Sequence, residues 1–295
     1  MSKSCGHEVT AQADGWTGVN NWHLIAFMVM AMHDASNEQK TAENLLAHLE
    51  NVIKELEDEW GTTMVAIFTD TSGESRAARR MLGEKYLWLI MLDCHAHQVN
   101  LIVGDYFKHN PQLLAHTDNA MELITWLCLK TLVLALIRET QLLTVLTCWT
   151  AHYLAYRHLL QLHQTLFAIV VADEIQSVDR KKIITGDAKA KAKATKMTEL
   201  IKDTLFWYEI TWIKMHLEPL AFAANVTQAT ICMVDTVLLT FSFLGMQYKS
   251  MSEPEDTKAV SAIIQSIERR WEKCDQEIFI AAVMINPFYK TTPFS

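Results

Sequence analysis

The sequence predicts a mixed α/β fold: a sheet with helices packed on it, followed by a large all-α region. Three observations carry this. Half of the 295 residues are hydrophobic and only 9 are Gly and 5 Pro, which favours a folded, helix-rich chain over a disordered one. Up to residue 110, strand-length apolar runs and helical patterns follow one another in the order β-β-α-β-α-β-α. After His109-Asn110-Pro111 only helical periodicity remains. The expected organisation is a sheet-bearing part at residues 8–110 and a helical part at 111–295.

Glu8–Gly18 and Asn21–Met32 read as the first two strands, joined by a Gly-Val-Asn-Asn turn. Thr41 to Trp60 is an amphipathic helix, because Leu45, Leu46, Leu49, Val52, Ile53 and Leu56 recur at three- and four-residue spacing. Thr63–Thr69 lacks apolar–polar alternation, as a strand covered on both faces does. Ser72 or Ser75 can cap a helix running to Leu82 that carries Arg76, Arg79 and Arg80. Leu87–Leu92 is a further buried strand, and Ala96–Phe107 a helix. Downstream, helices are expected over 118–137, 150–178, 195–217, 219–248 and 256–282. The lysine-rich stretch Arg180–Lys196 interrupts them and reads first as a solvated loop or helix start, with a DNA-facing loop as the sharper alternative. Ser250–Asp256, with Pro254, is a second break.

Composition excludes several classes. The formal charge of −8 argues against strong non-specific DNA affinity by the chain alone. Six scattered cysteines without paired spacing, and no visible signal peptide, read as reduced thiols and an intracellular protein. The most apolar stretches, Leu123–Ile137 and Ile231–Met246, are too short to span a bilayer and contain Lys130 and Asp235, so no membrane segment is expected. No phosphate-cradling Gly-rich loop and no nucleophile elbow is present.

The chemistry-bearing residues stand at the ends of apolar runs. Asp14-Gly15-Trp16-Thr17 opens the set, Thr69-Asp70-Thr71-Ser72-Gly73-Glu74 closes Met64–Phe68, and Cys94-His95-Ala96-His97 closes Trp88–Leu92. Two aspartates brought together on neighbouring strands would hold a divalent metal for phosphoryl transfer, since hard Mg²⁺ takes carboxylate oxygens. The plainer reading is that Asp14 is a turn residue and Asp70 a helix cap. Cys94 and His97 lack a second Cys/His pair at finger spacing, so a structural zinc site is a poor reading.

Taken in order, Asp14-Gly15-Trp16-Thr17, Lys40-Thr41-Ala42-Glu43-Asn44, the Thr69–Arg80 block, Cys94-x-x-His97-x-x-Asn100-Leu101 and Trp149-Thr150-Ala151-His152-Tyr153 resemble a transposase of the hAT (hobo–Activator) superfamily. The agreement runs from about Asp14 to the end of the chain. The resemblance implies a ribonuclease-H-like mixed sheet with flanking helices, interrupted by a large all-α insertion region. It implies Asp14 and Asp70 as catalytic residues and ligands of Mg²⁺ (or Mn²⁺), and DNA as the ancestral partner. It places Cys94 and His97 close to that site and makes His97 and Trp149 the candidates for nucleic-acid contact. A nuclear location and a homo-oligomer are further expectations from the family.

The chain also departs from the pattern. Cys148 stands where the family has arginine before the tryptophan, and cysteine cannot hold phosphate as a guanidinium fork does. The family's third acid, a glutamate, lies in a C-terminal block not reached by Asn286-Pro287-Phe288-Tyr289-Lys290, and no N-terminal zinc finger is seen. Thirteen residues from Trp22 to Asp34 leave room for one good strand, so the third strand is expected to be missing or shortened. The stretch from Ala135 to Trp149 also looks shortened. The reading is therefore a transposase-derived core without catalysis. The alternative is a non-enzymatic interaction or DNA-associated module using the helical region, with an exposed apolar patch around Trp207, Trp212 and Phe222.

Overall fold

A computed structural model describes residues 8–17, 23–27, 31–34, 37–130, 149–229 and 232–289, with side chains from residue 37 onward except at 149–151. The chain is a mostly helical mixed α/β protein. Strands β1 (Glu8–Thr17), β2 (His23–Phe27), β3 (Ala31–Asp34), β4 (Thr63–Thr69) and β5 (Ile90–Asp93) form one sheet in the order β3-β2-β1-β4-β5. The β1–β2 and β2–β3 pairs are antiparallel, and β1–β4 and β4–β5 are parallel. The parallel pairs need crossover connections, which α1 (Ala42–Trp60) and α2 (Gly73–Lys85) contribute.

The single strand expected over Asn21–Met32 is two short ones, of five and four residues. The third strand is thus shortened rather than absent, and more strand fits into this stretch than its length suggested. β5 starts at Ile90, not Leu87: Leu89 N–H donates to the Tyr86 carbonyl in a turn after α2, leaving Leu87 and Trp88 exposed. β4 has the expected bounds.

The core between sheet and helices is built from the α1 stripe of Leu49, Val52, Ile53 and Leu56, with Met64 and Ile67 of β4 and Ala78 and Leu82 of α2. Each large aliphatic side chain buried there contributes roughly 1.5–3 kcal/mol. Thr41 caps α1 by accepting from Asn44 N–H at 3.2 Å, and Gly61 ends it in the left-handed conformation at φ 60°. α2 begins at Ser72, whose hydroxyl accepts from Ser75 N–H.

By its internal contacts the chain divides into two units, Met1–Gln98 with Arg269–Ser295, and Val99–Glu268. The remaining helices are α3 (His95–His109), α4 (Gln112–Leu129), α5 (Trp149–Glu174), α6 (Ala188–Lys202), α7 (Thr204–Gln228), α8 (Val234–Ser250), α9 (Thr257–Trp271) and α10 (Gln276–Ile285). In the second unit α7 packs against α4, α5 and α8. Pro219 lies inside α7 instead of breaking it, and the breaks fall at Asp203, whose carboxylate accepts from Leu205 N–H, and after Gln228. The helix expected over 256–282 is interrupted by a turn at Glu272–Asp275. The end of the helix expected to reach 137 and the stretch to Cys148 lie outside the described residues.

Candidate functional site

The parallel pairing of β1 with β4 matches Ala13 with Thr69. Asp14 is the next residue of β1, and Asp70 is the residue directly after the end of β4. β4 pairs in turn with β5, matching Thr69 with Asp93. Asp14 and Asp70 therefore stand at one level of two neighbouring parallel strands, and Asp93 stands one residue before that level on the third. Asp14 is placed by its backbone, since side chains are described only from residue 37. Asp93 was not among the residues singled out from the sequence, although it ends its apolar run as Asp70 does.

The surroundings of Asp70 are set by the turn into α2. Its Oδ1 accepts from Ser72 N–H at 3.3 Å and from Ser72 Oγ–H at 3.1 Å, an Asx-type turn just before the helix cap. Its Oδ2 makes no hydrogen bond among the described residues. The carboxylate thus serves the turn and keeps one oxygen available.

Asp93 differs. The buried Arg79 guanidinium forms an ion pair with it. Arg79 also donates to the Thr69 carbonyl at 3.0 Å, the Asp70 carbonyl at 2.8 Å and the Thr69 hydroxyl. Burial lowers the Arg79 pKa from its ordinary value, and the neighbouring Asp93 and Asp70 oppose that shift. Asp93 Oδ2 further accepts from Gln98 Nε2 at 3.3 Å, and the same amide reaches Thr71 Oγ1 at 3.4 Å. Gln98 is a second residue at this edge that sequence reasoning missed. Its spacing from Cys94 closes the first turn of α3, whose Gln98 N–H donates to the Cys94 carbonyl.

His97 is half-buried in the first turn of α3. Cys94 N–H donates to the Thr69 carbonyl at 2.7 Å, tying the start of α3 to the end of β4. Among the described residues no group of three or more His, Cys, Asp or Glu could hold a metal ion. Trp149 is the first residue of α5, in the other unit, and its side chain lies outside the description, as does Cys148.

Beside the carboxylate edge lies a cavity of about 420 Å³ lined by α2, β5 and the turn between α9 and α10. Arg76, Arg80 and Lys273 bring positive charge to it, Asp93 and Asp275 negative charge. Cys274 also lines it, and burial, followed by Asp93 and Asp275, pushes its thiol up to about 11, so it is not a thiolate nucleophile at neutral pH.

The patch expected around three aromatics is present only in part. Trp207 is buried, donating from Nε1 to the Ile201 carbonyl and stacking on His163 at 4.0 Å between ring centroids. Trp212 is half-buried and donates to Asp256. Phe222 is exposed, together with Leu205, Tyr208 and Met215 on the same helix. Of the lysines in 180–196, Lys193 and Lys196 pair with Glu122. Among the described residues no helix is long and apolar enough to cross a membrane. A scan of protein-family models gives no match to the chain, and no curated protein matches it.

Proposed function

We propose that the chain is a hAT-transposase-derived protein whose ribonuclease-H-like sheet keeps a divalent-cation site at Asp14 and Asp70 but does not cut DNA. The observation that carries this reading is the β1–β4 register, whose last pair, Ala13 with Thr69, immediately precedes the two motif aspartates, far apart in sequence. A second support is the chain's course: Val99–Glu268 forms its own unit between two segments of the sheet unit, as a helical insertion would.

The residues fit a cation in part. Asp70 has an uncommitted oxygen, and Mg²⁺ or Mn²⁺ held there would supply Lewis-acid activation of a phosphodiester. Ser72 fixes the Asp70 carboxylate through its other oxygen, and Arg79 holds the β4 end that carries it. The third carboxylate of the edge, Asp93, is neutralised by Arg79 and is not available as a ligand. Coordination number and geometry are what a protein contributes to this chemistry, and two aspartates give too few ligands for a cleaving site. DNA as partner and the nucleus as location follow from the same reading.

The test is calorimetric titration of Mg²⁺ and Mn²⁺ into the full chain and into Asp70→Ala. Weak Mn²⁺ binding that vanishes in the variant is expected, with no nicking of DNA by either protein. Absence of binding in both would overturn the cation site, and nicking that depends on Asp70 would overturn the loss of activity.

One observation favours a second reading, an interaction module that pairs two copies of the chain. Tyr208, Met215 and Phe222 are exposed at seven-residue intervals on α7, the spacing of a helix–helix seam. Sedimentation of the full chain and of Met215→Glu decides it: a dimer that the charge dissociates is expected, and a monomer at all concentrations removes the reading.

A further inference from the structure

The cavity beside the carboxylate edge is not used by the cation reading. Arg76, Arg79, Arg80 and Gly83 line it from one face of α2, at the i, i+3, i+4, i+7 spacing of a helical stripe. Their commitments differ. Arg79 is buried and bound to Thr69, Asp70 and Asp93. Arg76 and Arg80 are exposed, and neither side chain has a hydrogen bond or ion pair among the described residues. The same holds for Lys273, which faces them from the turn after α9. With Asp93 neutralised by Arg79, among the described residues only Asp275 opposes these three cations in the cavity lining. A chain of formal charge −8 thus gathers uncompensated positive charge in one concavity. Arg76 also acts unfavourably on the Arg79 charge, a repulsion that an anion in the cavity would relieve.

We infer that this cavity is a phosphate-binding site, with Arg76 and Arg80 as the forked donors and Lys273 as a third cation. Guanidinium groups match phosphoryl oxygens in a planar, two-pronged geometry, and lysine adds a mobile point charge. The volume of about 420 Å³ lies in the range of small-ligand sites, and suits one nucleotide-sized group rather than a duplex. Its phosphate can belong to a nucleic-acid strand passing the carboxylate edge, a source that rests on the reading above, or to a free phosphate ester.

The experiment measures anisotropy of a short fluorescein-labelled oligothymidylate with the full chain at low salt, and calorimetry with pyrophosphate. The comparison is with Arg76→Gln/Arg80→Gln, with Lys273→Gln, and with Lys189→Gln/Lys191→Gln, which removes as much charge from an exposed segment of the other unit. The altered side chains are exposed, and circular dichroism confirms that the variants fold. At least about a tenfold loss is expected in the arginine double variant, with a salt slope smaller by about 0.7 for each lost single-strand phosphate contact. A smaller loss is expected in Lys273→Gln and none in the Lys189/Lys191 control. Oligonucleotide binding that pyrophosphate displaces only weakly assigns the site to a strand. Pyrophosphate binding without oligonucleotide binding assigns it to a small phosphate ester. No binding of either, or equal losses in cavity and control variants, overturns the site. An Asp70→Asn chain keeps this binding even if it shows no affinity for Mn²⁺, so the two readings fail separately.

Discussion

Arg79 holds together the ends of two strands through one guanidinium. It donates to two successive carbonyls at the end of β4 and neutralises Asp93 at the end of β5. Arg79→Met leaves Asp93 half-hidden without its counter-charge and frees those carbonyls. Urea unfolding is expected to show a loss of about 3 kcal/mol, with Arg79→Lys recovering only part because an ammonium cannot span the same acceptors. His95 gives a pH dependence. Burial lowers its pKa to about 4, below its unfolded value. Between those values the unfolded chain binds more protons, so the contribution is full above pH 6.5 and falls away as pH drops toward 4. The His95 part of this loss is on the order of 2–3 kcal/mol, and a His95→Leu chain should show a flatter melting temperature over pH 7 to 4.5. A profile as steep as the parent's would show that His95 is not the group responsible. At this scale the sequence was partly legible. Asp70 was visible because it stands in a recognisable block. Arg79 was not distinguishable from Arg76 and Arg80, because only its turn toward β4 separates a buried arginine from two exposed ones. Asp93 was hidden by the more conspicuous Cys94 and His97 beside it.

Among the elements, α1 and β4 follow directly from local rules. The apolar stripe of α1 is long, Thr41 caps one end and Gly61 the other, and β4 has no competing pattern. Gly61 sits at φ 60°, where a side chain is strained, and its N–H satisfies the carbonyls of Leu56 and Glu57. Gly61→Ala is expected to cost about 1 kcal/mol in denaturant unfolding, and a neutral result would mean the helix end relaxes. The elements that were misread depended on distant partners. β2 and β3 were merged because nothing between them reads as a strong breaker, while their separation follows from pairing in a meander. α7 runs through Pro219 because the helix is packed on several sides, and the tertiary contacts of Ile213, Leu217 and Leu220 outweigh a missing backbone donor. The same packing draws Trp207 and Trp212 inward, where His216 and Asp256 give Trp212 a buried polar partner. Heptad spacing alone could not show which of these aromatics would be covered.

At the scale of the whole molecule, the chain leaves the sheet unit at Gln98 and returns at Arg269. Each unit has its own core. Leu56 belongs to one, packed with Met64, Ile67 and Leu82. Ile213, fully buried on α7, belongs to the other. Two cores in one chain give two cooperative openings rather than one. Leu56→Ala and Ile213→Ala each remove buried volume worth roughly 2–5 kcal/mol, so each should loosen its own unit. Hydrogen exchange read by mass spectrometry is the measurement. In Leu56→Ala, peptides from β4 and α2 should exchange faster while those from α7 and α8 keep their protection, and in Ile213→Ala the pattern should reverse. Helices α3 and α9 run across the two boundaries and should respond to both substitutions. Equal acceleration everywhere in both variants would mean that the units unfold as one, and the helical segment would then be part of the sheet's own cooperative core rather than an insertion with independent stability.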